Sequence, residues 1–393
     1  MTSVPLPPSL RRLRAPLCGV LAVLLAACAG VPAQESLTGD DLAWVRSGAG
    51  MLGADGDGPL ESTDELMRVT PEMQRFADDA TRAWSSIGGK SNALANALAG
   101  KSGLQMRYDA AATLTAAQAF EQHRANCLSY TLLYVALARK LGIPAQFNEV
   151  DIPPAWGMGD ERTSLLYRHI NARVDLNLKS FQIVDVSRDE YDPRYPQRLL
   201  SDAAAQAQFF NNRAVELRLQ GQFPRALRYQ LQALALAPDA AYLWSNLAGL
   251  YLAGGNLRAA HIAVARALQF DGEDLMTDDM AAQVFEALGQ PQQAAVYHDR
   301  AQRFVDQNPY YHYQLALAAL DRADEAAAFD ETRRAIQLYD QDARFFFLMA
   351  LLLDRQDQPN LAARSLRAAL SLADDPAQQD RYRSKFARLR RHG

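Results

Sequence analysis

Cysteine is scarce in this chain of 393 residues, which has only Cys18, Cys28 and Cys127. The sequence contains no CxxC pair, no HExxH motif and no Gly-rich phosphate loop. Zinc and nucleotide chemistry therefore have no support in the sequence. We expect neither a metal ion nor an organic cofactor.

Basic stripes with interleaved aromatic residues are also missing, and the formal net charge is −4. This pattern gives no indication of nucleic-acid binding. Apolar residues make up 49% of the chain, which fits a globular helical protein rich in alanine and leucine. About 365 residues remain after Cys28, enough for two or three domains.

No long apolar run is visible at the N-terminus, only a short one over residues 15–27 that follows three arginines. Its length of about 13 residues is below the roughly 20 needed to span a bilayer, so residues 1–27 are predicted to be a secretory signal. Leu25-Ala26-Ala27-Cys28 resembles the bacterial lipobox, in which the cysteine is lipidated and becomes residue one. An ordinary cleavage site beside a chance cysteine is the alternative. By resemblance to Gram-negative lipoproteins, Ala29 favours the outer membrane and a periplasm-facing protein.

Residues 28–62 are predicted to be a flexible tether, because small residues dominate around positions 47–58. A second domain is predicted over 63–202. Within it, Thr70 precedes Pro71 in the pattern of an N-cap, and Thr115 is predicted to cap a short helix over 116–123.

A 34-residue period begins near residue 207 and continues to residue 376. Small residues recur at positions 8, 20 and 27 of each repeat, where two antiparallel helices approach closely. The alanines at position 8 are Ala214, Ala248, Ala282, Ala316 and Ala350. Trp244, Leu247, Tyr251 and Gly255 match the tetratricopeptide pattern. We predict an all-α solenoid over 203–393 with five repeats and a capping helix over 377–393.

The central segment combines one helix with strand-like runs. Apolar residues at helical spacing follow Cys127, and Gly142 ends that helix. Strands are predicted over 145–152, 165–176 and 181–186, the last two joined by a tight hairpin. Cys127 thus stands at a helix start, with His169 and Asp185 on neighbouring strands.

Cys127 has no partner cysteine once the signal is removed and Cys28 is lipidated. A lone thiol in an oxidising compartment is either a buried, inert side chain or a reactive one. At a helix N-terminus the peptide dipoles favour the thiolate. His169 is the predicted base and Asp185 the carboxylate that orients it. His123 is the rival base.

Several motifs in this region resemble the transglutaminase-like superfamily, and more closely bacterial lipoproteins that join such a domain to tetratricopeptide repeats. They include Asn126-Cys127-Leu128-Ser129-Tyr130, Gly142-Ile143-Pro144-Ala145 and His169-Ile170-Asn171. The resemblance covers about residues 64–200. It implies an α+β papain-like domain, with Cys127 as nucleophile, His169 as general base and acid, and Asp185 as orienting carboxylate.

The chain departs from the family at one point, because an aromatic often follows the family's histidine whereas Ile170-Asn171 follow here. Gln122, Asn126 and Trp156 are all candidates for an oxyanion side chain. Glu149, Asp151 and Trp156 are candidates to line the cleft, or else ordinary strand residues.

These patterns predict a membrane-anchored lipoprotein with a cysteine peptidase or amidohydrolase domain acting through an acyl-enzyme. The repeats are predicted to recruit a protein partner or substrate. Two alternatives stay open: a non-catalytic envelope scaffold with a decayed triad, and a protein transamidase.

Overall fold

The computed structural model describes residues 37–52, 59–100, 102–150, 156–160, 163–166, 169–186, 195–271, 275–307, 309–373 and 376–392. The predicted fold class is confirmed: a small α+β domain is followed by an all-α tetratricopeptide-type solenoid. The signal segment, with Cys18 and Cys28, lies outside the described residues.

Among the described residues, six helices and two short strands precede the main sheet. The helices are α1 (Gly39–Arg46), α2 (Thr63–Leu66), α3 (Pro71–Thr81), α4 (Ile87–Ala99), α5 (Ala116–Gln122) and α6 (Cys127–Lys140). The strands β1 (Arg107–Tyr108) and β2 (Arg124–Ala125) pair in parallel on either side of α5. The predicted caps are confirmed, since Thr70 accepts from Met73 N and Thr115 from Gln118 N. Each cap satisfies an N–H group that has no partner within its helix.

The main sheet has four antiparallel strands in the order β7-β6-β3-β8. They are β3 (Ala145–Val150), β6 (His169–Asn177), β7 (Ser180–Val184) and β8 (Gln197–Leu200). The predicted run over 165–176 divides into two strands, since β4 (Trp156–Asp160) and β5 (Thr163–Leu166) form a separate hairpin. The hairpin between β6 and β7 is confirmed. Phe147, Ile170 and Ala172 belong to the same apolar core as α6.

The solenoid contains five antiparallel helix pairs and a final helix among the described residues. They are α7 (Asp202–Leu219) and α8 (Phe223–Leu236), α9 (Ala241–Ala253) and α10 (Leu257–Phe270), α11 (Leu275–Ala287) and α12 (Pro291–Gln307), α13 (Pro309–Asp321) and α14 (Glu325–Leu338), α15 (Ala343–Arg355) and α16 (Pro359–Leu372), then α17 (Pro376–His392).

The repeat register predicted from the 34-residue period agrees with the helix starts. α9, α11, α13 and α15 begin at the predicted residues 241, 275, 309 and 343. Only the first repeat differs, because Ser201 caps α7 and starts it at Asp202, five residues before position 207. The alanines at positions 8 and 20 are buried, which lets the paired helices pack at close range.

The flexible tether predicted over 28–62 is wrong for residues 37–52. This segment, which we name the strap, contains α1 and packs against α10. Val45 is completely buried, and its carbonyl accepts a 2.5 Å hydrogen bond from Tyr251. The prediction failed because it weighed the glycines and overlooked Leu42-Ala43-Trp44-Val45, which supplies an apolar face. The capping box formed by Thr38 and Asp41 was the available sequence signal.

Polar contacts connect the α+β domain to the first repeat. Arg139, near the end of α6, forms two hydrogen bonds of 2.6 and 2.9 Å with Asp202 at the start of α7. Glu149 of β3 accepts a 2.6 Å bond from Gln208 of α7 and also pairs with Arg198 of β8. The helix that begins at Cys127 is therefore attached at its far end to the solenoid.

None of the helices in the described ranges is both long and apolar enough to cross a membrane.

Candidate active site

Cys127 is the first residue of α6, as the sequence predicts, and its side chain is half-buried. Asn126 is the N-cap, and its Oδ1 accepts from Ser129 N at 2.8 Å. Asn126 Nδ2 donates to Thr113 Oγ1 at 2.9 Å. The backbone N–H groups of Cys127 and Leu128 occupy the first helical turn, where no intrahelical acceptor exists. Cys127 therefore lies where the helix dipole favours a negative charge.

His169 and Asp185 meet at one end of the main sheet. His169 is the first residue of β6, and Asp185 follows the last residue of β7. His169 Nε2 lies 2.6 Å from Asp185 Oδ2, and both side chains are almost completely buried. The antiparallel hairpin causes this meeting, because its register sets Ala172 opposite Val184 and so brings the ends of the two strands together.

The third predicted residue lies beside this pair, since Cys127 is close enough to His169 to influence the pKa of the imidazole. Asp185 occupies Nε2, so the ring nitrogen left for the thiol is Nδ1. Burial disfavours the imidazolium, but the hydrogen bonds with Asp185 and Cys127 outweigh burial and raise the pKa of His169 from 6.5 to about 10. The structure thus brings Cys127, His169 and Asp185 together.

A row of buried amides supports the carboxylate, and the sequence analysis did not identify it. Asn171 Nδ2 donates to Asp185 Oδ2 at 3.0 Å. Asn148 Nδ2 donates to Asn171 Oδ1 at 2.8 Å and to Gln197 Oε1 at 3.0 Å. In the sequence, an asparagine on each of two strands rich in apolar residues could have indicated this row, because a buried amide requires hydrogen-bond partners.

His123, the rival base, is not part of this group. It is the C-cap of α5 with a left-handed backbone (φ 52°) and an exposed side chain. Gln122 is likewise exposed, and its Oε1 accepts from Arg124 at 3.1 Å. Asn126 is engaged at both ends of its amide in capping and in the bond to Thr113. Trp156 begins β4, and its strand position is all that the structure describes of it.

Of the two alternatives left open for Glu149, the cleft position is not the one that the structure shows. Its side chain is 5% exposed and is held by Gln208 and Arg198 at the junction with the first repeat. The alternation of β3 explains this position, since Glu149 shares a strand face with Phe147. Asp151 lies outside the described residues.

No group of three or more His, Cys, Asp or Glu side chains in the described part of the chain could hold a metal ion.

Comparison with protein families agrees with the resemblance seen in the sequence. The model of the transglutaminase-like superfamily matches residues 74–171. This stretch runs from α3 into β6 and includes Cys127 and His169. Residues 74–171 are therefore a transglutaminase-like domain. No curated protein matches the chain.

Solved structures similar to the chain include proteins described as tetratricopeptide-repeat proteins. YrrB, described as having an unusual peptide-binding site, is 19% identical with a TM-score of 0.24, over 45% of this chain and 92% of its own. The pilF protein of Pseudomonas aeruginosa is 14% identical with a TM-score of 0.26, over 49% and 88%. A thermophilic repeat protein of Thermus thermophilus is 19% identical with a TM-score of 0.25, over 47% and 98%. No function follows from likenesses of this size.

Proposed function

We propose that this protein is a cysteine peptidase or amidohydrolase that acts through an acyl-enzyme. One observation carries the proposal: Cys127, at the start of a buried helix, lies beside His169, which is paired with Asp185. A buried carboxylate, an imidazole and a partly accessible thiol are the parts that nucleophilic acyl transfer requires.

The chemistry follows from the positions of these groups. The Cys127 thiol gives its proton to His169, and Sγ forms a bond with the amide carbon of the substrate. The carbonyl electron pair moves onto oxygen, where the N–H groups of Cys127 and Leu128 can donate to it. When the C–N bond breaks, His169 returns the proton to the leaving amine. Water then attacks the thioester and gives a proton to His169. The C–S bond breaks, the acid leaves, and His169 returns the proton to Sγ.

A protein transamidase would use the same acyl-enzyme and differ only in the last step, where an amine replaces water as the acceptor. The residues around Cys127 do not distinguish the two acceptors. Hydrolysis is our preference, because Cys127 is only partly buried and water that reaches it would hydrolyse a thioester formed there.

The repeats would recruit the protein partner or substrate. Helical repeats stack into extended surfaces that suit peptides and proteins. The contacts of Arg139 with Asp202 and of Glu149 with Gln208 hold the first repeat against the domain. A protein bound to the repeats would therefore be kept close to the thiol.

We place the protein in the bacterial envelope, lipidated at Cys28 and facing the periplasm, most simply at the outer membrane. The lipobox-like Leu25 to Cys28 supports this placement. Cys28→Ala is expected to remove the lipid and release the protein from membranes. Cys18→Ala, in the same signal, is the matched control and should fractionate with membranes. Equal lipidation of both variants would rule out the anchor.

Alkylation of Cys127 by iodoacetamide tests the catalytic proposal. Full-length protein is treated at several values between about pH 5 and 8, native and in urea, and the peptide carrying Cys127 is quantified by mass spectrometry. At pH 6 the native thiol should react at least about tenfold faster than the unfolded one, because His169 beside it can take its proton. A folded thiol that reacts more slowly than the unfolded one would support the scaffold instead.

A non-catalytic scaffold is the second candidate, and the deep burial of His169 and Asp185 is the observation in its favour. Peptide hydrolysis assays separate the classes directly. Activity that Cys127→Ala abolishes, without a change in melting temperature, supports the enzyme. A labelled primary amine in the same assay identifies a transamidase by its incorporation into protein.

A further inference from the structure

The buried amides behind Asp185 form an ordered series, and each amide can adopt only one orientation. Asn148 Nδ2 uses both of its protons, one on Asn171 Oδ1 and one on Gln197 Oε1. Asn171 must therefore turn its oxygen toward Asn148 and its nitrogen toward Asp185. Turning the Asn171 amide over would set an oxygen against the carboxylate.

The strand register explains why these residues meet. Asn171 is two positions after His169 and shares its strand face. Asn148 is the direct cross-strand neighbour of Asn171. Ala172 pairs with Val184, so the next position brings Asp185 beside Asn171. Asn171 is completely buried and Asn148 is 2% exposed, so water does not replace these contacts cheaply.

The contacts of Asp185 bear on which ring nitrogen of His169 carries the proton. Asp185 Oδ2 accepts from Asn171 at 3.0 Å and from His169 Nε2 at 2.6 Å. Because Asp185 Oδ2 accepts at Nε2, the proton of a neutral imidazole stays on Nε2 and the lone pair on Nδ1 faces the thiol.

We propose that Asn171 is a positioning residue that acts through Asp185 to fix the imidazole tautomer of His169, and that Asn148 fixes the orientation of the Asn171 amide. The role rests on the proposed thiol function, but it belongs to residues that never touch the substrate. Gln197 ends the series on β8, four residues before Ser201 caps the first repeat helix. The support of the carboxylate thus extends to the strand that leads directly into the solenoid.

Asn171→Leu tests this role, because leucine has nearly the same size and donates nothing. The pH profile of Cys127 alkylation is measured on full-length protein. In Asn171→Leu the midpoint of this profile should rise by about one pH unit, so alkylation below the midpoint should be about tenfold slower. Asn148→Leu should shift the midpoint in the same direction by less. Asn177→Leu, at the exposed end of the same strand, is the matched control and should leave the midpoint unchanged.

A second variant and a second measurement complete the test of Asn171. Asn171→Ser fits without overpacking and is used if Asn171→Leu does not fold. Nitrogen-15 NMR of labelled histidine reports the His169 tautomer directly and needs no reactive thiol. The wild type should carry its proton on Nε2 at a pH where the ring is neutral, and the Asn171 variants should show a mixture. Unchanged midpoints and an unchanged tautomer overturn the inference. A wild-type thiol no more reactive than the unfolded one overturns the enzyme proposal instead.

Discussion

The α+β domain and the solenoid are held together by different kinds of contact. Around Cys127 the decisive contacts are directional, since Asn126, Asn148, His169, Asn171 and Asp185 are all buried and hydrogen-bonded. In the repeats the recurring feature is a small apolar side chain, such as Ala260, Ala328 or Ala335, buried between helices. The contacts of the domain depend on the orientation of its polar groups, and those of the repeats depend on side-chain volume.

This difference determines how each region responds to change. A buried polar group that loses its partner bears the full cost of its desolvation, about 1–3 kcal/mol. A buried alanine side chain has no hydrogen-bond partner to lose, and its packing is disrupted only when a larger side chain replaces it. The domain should therefore be sensitive to isosteric changes that the solenoid tolerates, and the solenoid to added bulk.

The largest effect is expected from the base. His169→Asn should slow alkylation of Cys127 at pH 6 by roughly 100-fold, because the thiol loses its proton acceptor. His123→Asn is the matched control, since asparagine tolerates the left-handed backbone there, and it should change the rate by less than about twofold. A greater loss from His123→Asn would transfer the role of the base to that residue.

The next effect is a pH dependence of stability. Burial lowers the pKa of His169, but the bonds with Asp185 and Cys127 outweigh burial and raise the folded value from 6.5 to about 10. The native protein therefore holds this proton more tightly than the unfolded chain does. The resulting stabilisation is complete below pH 6.5 and is lost as pH rises toward 10. Urea midpoints of wild type and His169→Gln should differ most at pH 6 and converge by pH 10, and a constant difference would contradict the shift.

Added bulk in the repeats should have a moderate effect. Ala328→Leu, at position 20 of the fourth repeat, should lower the free energy of unfolding by about 1–3 kcal/mol because the site is closely packed. Ala326→Leu is the matched control, since Ala326 is exposed on the same helix, and it should stay within about 0.5 kcal/mol. Equal urea midpoints for the two variants would refute the packing register.

The smallest effect concerns the strap. Tyr251→Phe removes the hydrogen bond to Val45 O and should cost about 0.5–1.5 kcal/mol. Trypsin should then cut faster after Arg46, because the strap opens more often. Tyr339→Phe, at a more exposed ring, should leave the cleavage rate as in the wild type. An unchanged rate in Tyr251→Phe would mean that apolar packing alone holds the strap.

Local patterns were read correctly in most of the chain. The starts of α6, α9, α11, α13 and α15 follow from caps, apolar spacing and the repeat period, all of which act over a few residues. The strap and the divided strand were missed, because weak local signals around Trp44 and Leu165 are decided by what packs against them. Glu149 was left open between two positions for the same reason, since only the approach of α7 buries this strand carboxylate at the junction.

The sequence by itself determined the repeat register, the helix that begins at Cys127 and the residue types able to form a thiol site. These features depend on periodicity and capping, which are properties of neighbouring residues. Only the tertiary structure decided that His169 rather than His123 meets the thiol, that Asn171 and Asn148 hold Asp185, and that the strap lies against α10. Such contacts join residues far apart in the chain, and strand pairing and helix packing fix them only when the chain is folded.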